Sequence, residues 1–106
     1  MSRSIRLVYR NLQGLCRMNY NWDAINKRSA VVITAVEWKA GRDPYDETGR
    51  PHVGQADIYV TNIGPHDPEP STGGVEFNVH VDWHTPLHVQ VTITVLDEIE
   101  DFRVVD

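Results

Sequence analysis

Four side chains hold most of the chemistry legible in this sequence: His80, Asp82, His84 and His88. Residues two apart on an extended strand point to the same side of a sheet. Val75, Phe77, Val79, Val81 and Trp83 alternate with Glu76, Asn78, His80, Asp82 and His84. Leu87, Val89, Val91, Ile93 and Val95 alternate in turn with His88, Gln90, Thr92 and Thr94. His84-Thr85-Pro86-Leu87 is short enough to close a hairpin, which predicts that both polar rows share one face. Three of the five histidines would then converge beside Asp82. Imidazole and carboxylate suit zinc, copper or nickel, and Asp82 could instead orient an imidazole as a general base. The same row fits a plain polar or subunit-contact face, or a site for an uncharged ligand. No closed Cys/His zinc spacing is present, so a metal-dependent site on His80, Asp82, His84 and His88 stands as the alternative to a binding face.

Other chemistries find less support. Cys16 is the only cysteine and has no neighbouring charge pattern that would activate a thiolate. No Gly-x-Ser-x-Gly elbow occurs, and Gly73-Gly74 reads as a turn leading into a strand rather than a phosphate loop. The acidic run Asp97, Glu98, Glu100 and Asp101 lacks the spacing of a calcium loop, and Asp43, Asp46 and Glu47 around Tyr45 form a second calcium or sugar candidate. The reading assigns no catalytic residue and no cofactor, and leans away from an enzyme.

The elements that must position these residues are strands. Ser4–Tyr9 alternates, Ala30–Trp38 is rich in β-branched residues with apolar side chains on both faces, and Ala56–Ile63 alternates again. An apolar run on both faces predicts cover by a second sheet and by another subunit. Asn11–Ile25 is open between a short helix, with Leu15, Met18, Trp22 and Ile25 at helical spacing, and an irregular loop. Gly41–Gln55 and Gly64–Gly74 hold the turn formers and read as loops, Asp97–Asp101 as a solvated connector, and Phe102–Val105 as a final edge strand. Trp38, Phe77 and Trp83 sit in strong strands and read as core. Tyr20, Trp22 and Tyr45 are candidates to stack on a sugar or a partner. The sum is an all-β antiparallel sandwich of about six to seven strands, with one short N-terminal helix as an open variant.

A length of 106 residues predicts one domain spanning 1–106. A formal net charge of −5 argues against nucleic acid and against an anionic membrane surface, both of which need clustered Lys and Arg. The start lacks the apolar core of a signal peptide, and a lone cysteine forms no internal disulfide, so a soluble, cytoplasmic protein is expected.

Gly74-Val75-Glu76-Phe77 through Trp83-His84-Thr85, followed by Val89-Gln90-Val91-Thr92-Ile93-Thr94, resembles the second half of H-type lectin domains. Val31–Val36 is similar to an earlier apolar strand of that family. The resemblance covers about half the chain. It implies a six-stranded antiparallel sandwich that forms a trimer or a multiple of one, with N-acetylgalactosamine-type sugars bound between subunits. It makes Trp83 and His84 candidate sugar contacts, with His88 and Asp82 beside them. Two departures bear on specificity: no arginine stands in Ala56–Ile63, where Gln55 or Asp57 would have to substitute, and Val95 stands near the place of a second tryptophan. The function read from the sequence is thus a non-enzymatic, homo-oligomeric binding module with a glycan as the favoured ligand, and a structural or protein-interaction domain as its rival.

Overall fold

Two long apolar faces decide the architecture. The inward row of Val75–Val81 and that of Val89–Val95 each need a cover of similar length. They cover one another when laid back to back, whereas side by side in one sheet both would still need a lid. The computed structural model describes residues 2–41, 48–67 and 72–106, and adopts the back-to-back solution. Its strands are β1 (Arg3–Leu12), β2 (Gly14–Asn21), β3 (Ser29–Lys39), β4 (Arg50–His52), β5 (Asp57–His66), β6 (Gly74–Asp82) and β7 (Leu87–Glu98). One antiparallel sheet has the order β1-β7-β3-β4 and the other β2-β6-β5. The expected all-β sandwich is therefore observed, and no helix occurs among the described residues. Nor, among those residues, does any helix have the length and apolarity to cross a membrane.

The hairpin expected at His84–Leu87 is not formed. β6 and β7 belong to different sheets, and residues 83–86 carry the chain from one to the other. Four extended residues reach roughly 13 Å, enough to cross the ~10 Å between packed sheets. Val75, Phe77, Val79 and Val81 face Val89, Val91, Ile93 and Val95 across the core, and all eight are buried. The polar rows of the two strands consequently point out of opposite sides of the sandwich.

Asn11–Ile25 contains neither a helix nor only a loop. β2 alternates Cys16, Met18 and Tyr20 inward with Leu15, Arg17, Asn19 and Asn21 outward, in register with Val81–Gly74 of β6. Leu15, at 50% exposure, is on the wrong side for the helical pattern. The corner from β1 to β2 uses left-handed backbone at Asn11 (φ 60°) and Gly14 (φ 68°), with a register shift between Tyr9 and Leu12. Residues 22–28 then close one end of the core: Trp22 N donates to Gly73 O at 2.8 Å, and Ile25 is 2% exposed.

Other expectations are refined. The stretch Gly41–Gln55 includes the short strand β4, and its candidates Asp43, Tyr45, Asp46 and Glu47 lie outside the described residues. Residues 64–66 extend β5, while Asp97 and Glu98 end β7 rather than start a connector. Phe102–Val105 is not a strand and is exposed. Trp38 is buried, yet not in the core: it points out of the first sheet, where its Nε1 donates to Thr48 O at 2.7 Å and the Arg10 guanidinium lies 5.9 Å from its ring centroid. The outer face of β3 is only part-covered, since Val32 stays 49% exposed.

Tyr9 packs inward against this core, and burial, with Tyr20 nearby, pushes its hydroxyl above the ordinary value of 10.0. The unfolded chain then loses the proton first as pH rises. The stability contributed by neutral Tyr9 is full below about pH 10 and falls away above it. Urea unfolding between pH 9 and 11 should show this alkaline loss, and Tyr9→Phe should flatten it. An equal loss in both proteins would exclude Tyr9 as its source.

Candidate binding groove

An acid at an inward-facing strand position is a signal, because burying a carboxylate without partners is costly. Glu37 is such a residue. On β3, Val31, Ile33 and Ala35 face the core, and Glu37 continues that row at its end, 8% exposed. Two neighbours make the position tenable. Lys39, two residues on and so on the same side, brings Nζ to 3.1 Å from Glu37 Oε2. His52 stands opposite Glu37 in the β3–β4 register. Gly54 lies between the two side chains: a Cβ there would be 3.1 Å from Glu37 Oε1 and 3.3 Å from His52 Nε2.

These groups line an open groove where residues 53–56 cross from β4 to β5. One hollow of about 470 Å³ runs from Glu37 and His52 to Asp57 and Tyr59. A second of about 320 Å³ shares Glu37, His52, Gly54 and Ala56, and adds Lys39, Gln55, Trp83 and Leu87. Together they place Tyr59 at one end, Trp83 at the other and an ion pair with an imidazole between. Tyr59 is 49% exposed and lies flat on the His80 ring, with centroids 4.5 Å apart and planes 6° apart. His80 Nε2 and Thr61 Oγ1 share a hydrogen bond of 2.7 Å, which fixes the imidazole beneath the phenol. Trp83 is half-buried against the core, and its ring tilts at 41° to that of His84, 4.7 Å away.

The residues singled out from the sequence are thus divided. Trp83 lines the groove and His84 leans on it. His80 and Asp82 point out of the second sheet, Asp82 paired in register with Asp57. His88 points out of the first sheet, where its Nδ1 accepts a hydrogen bond from Asn11 N at 3.1 Å and its ring is 6.3 Å from Trp38. The convergence of three histidines beside Asp82 is therefore corrected: the thickness of the sandwich separates His88 from His80 and Asp82. Among the described residues no three His, Cys, Asp or Glu side chains come together to hold a metal ion. Gln55 and Asp57, named as stand-ins for a sugar-contacting arginine, both line the groove.

Sequence reasoning passed over Glu37, Lys39, His52 and Tyr59. Glu37 was readable as a charge inside an apolar run, whereas β4, at three residues, gives no alternation by which to place His52. Comparison with protein-family models, with curated proteins and with solved structures finds no match to the chain.

Proposed function

We propose that this protein is a non-enzymatic binding module whose groove takes a carbohydrate. The observation that carries the reading is the pair of aromatic residues, Tyr59 and Trp83, at either end of a groove holding Glu37, Lys39, His52 and Gln55. Sugars offer apolar C–H faces and directional hydroxyls, so they are held by flat rings together with planar donors and acceptors. A carboxylate accepts hydroxyl protons, an ammonium and a carboxamide donate to hydroxyl oxygens, and Lys39 offsets Glu37, one of the two acids, with Asp57, that line the groove. The resemblance to H-type lectins supports the same ligand class at Trp83 and His84. The groove lies within one chain, so binding here needs no subunit boundary.

A glycan array followed by calorimetry on the best ligand tests the proposal. Tyr59→Ala and Trp83→Ala should each weaken binding about tenfold, or ~1.4 kcal/mol, while leaving the unfolding midpoint of Tyr59→Ala close to that of the parent. Glu37→Gln should keep the fold and change which glycans bind, because it turns an acceptor into a mixed donor and acceptor. Absence of binding to any glycan, or binding indifferent to both aromatic substitutions, would refute the assignment and leave a groove for a protein partner.

A further inference from the structure

Residues 99–106 behave unlike the rest of the chain. Ile99 N still donates to Arg28 O at 3.0 Å, but residues 100–106 belong to no strand and all are exposed. Phe102 is 74% exposed, Val104 78% and Val105 90%. Apolar side chains this bare on a short segment are costly to leave in water. An extended chain places Glu100, Phe102, Val104 and Asp106 on one side, an apolar pair flanked by two acids.

The sandwich offers a matching unpaired edge. β1 is bonded to β7 on one side and, among the described residues, to no strand on the other. It is ten residues long and holds Arg3, Arg6 and Arg10 without any acid. Its outward row reads Arg6, Val8, Arg10, with Val8 41% exposed between two cations. Arg6 Nε donates to Thr92 Oγ1 at 3.1 Å and the Arg10 guanidinium lies over the Trp38 ring, which holds both cations on the outer face of this sheet. The other edges suit an added strand less well. β4 has three residues, β5 contains Pro65, which donates no backbone hydrogen bond, and β2 holds only Arg17 as a charge.

We propose that residues 99–106 of one copy add as a strand to the β1 edge of a second copy. Glu100 and Asp106 would meet the arginine row, and Phe102 and Val104 would cover Val8. Backbone bonds along the edge supply affinity that is largely indifferent to sequence, and the acid–apolar–apolar–acid row against the row Ser4, Arg6, Val8 and Arg10 supplies the choice of edge. The contact is heterologous: each copy offers one edge and one strand, so reciprocal exchange closes a dimer, and one-way exchange builds a ring or a chain.

Light scattering on the full, untagged chain across a dilution series tests this, together with hydrogen exchange read at β1. The parent should self-associate and show β1 amides that exchange more slowly as concentration rises. A variant with Arg6→Glu and Arg10→Glu, and another with Phe102→Ser and Val104→Ser, should each be monomeric alone. Mixed together they should form a one-to-one pair, because the first still has its segment and the second its edge. Neither variant touches the core, and the dispersed amide spectrum of each monomer confirms the fold. A monomeric parent, association unaffected by both variants, or concentration-independent protection of β1 by its own segment would each overturn the proposal.

Discussion

Phe77→Ala is expected to lower the unfolding free energy by about 3–5 kcal/mol, the range for truncating a buried aromatic ring. Phe77 is the largest side chain in the fully buried set, sits on the central strand of the second sheet and faces the valines of β7. Its neighbours belong to strands paired on both sides, so they relax little into the space left behind. A domain of this size has about 5–15 kcal/mol in total, so the variant should unfold at much lower urea and be partly unfolded at 37 °C. A midpoint within error of the parent would mean that the two sheets do not pack through this ring.

Gly73→Ala should cost about 3 kcal/mol, the upper end of what overpacking does. The constraint is not the backbone conformation but space: a Cβ at Gly73 falls onto the Ile25 carbonyl oxygen and lies 3.2 Å from His66 O. Gly73 O is also the acceptor for Trp22 N, so the residue cannot withdraw without releasing the segment that closes that end of the core. Gly64→Ala supplies the contrast, since nothing lies within 4 Å of its Cβ, and should change stability by no more than about 0.5 kcal/mol. Comparable unfolding curves for the two variants would show that the contact between residues 22–25 and Gly73 is not closed in solution.

Alternation told which side chains go inward on β1, β5, β6 and β7, because each pairs a hydrophobic row with a polar one, whereas β3 is apolar on both faces and shows no such sign. It did not tell which strand lies beside which. Val75–Val81 and Val89–Val95 present the same periodic pattern whether adjacent in one sheet or stacked across two, and only the need to cover both rows separates the cases. β2 escaped because its inward row is Cys16, Met18 and Tyr20, while a leucine, Leu15, faces water. The alternating Phe102–Val105 looked like a strand because local pattern does not reveal whether a neighbour is there to bond. At the groove, Trp83 was reached through resemblance, and Glu37, readable only from its parity in the strand, was not reached. His52 and Tyr59 enter it by way of a crossover that no sequence pattern marks.

The pairing scheme also fixes the order in which this chain can become structured. Among the described residues β1 bonds only to β7, and β3 bonds to β7 along most of its length, so β7 is the spine of the first sheet. As the ribosome releases the chain, β1 and the β-branched stretch of β3 must wait, unpaired, until residues 87–98 emerge. Among the described residues the β5–β6 hairpin is the one extensive ladder between consecutive strands, and its early formation gives β2 a template. Assembly that hinges on contacts so distant in sequence runs on the millisecond-to-second scale typical of β-sandwiches. During that interval the aggregation hazard is Ala30–Val36, whose eventual partner β7 lies far downstream in the sequence.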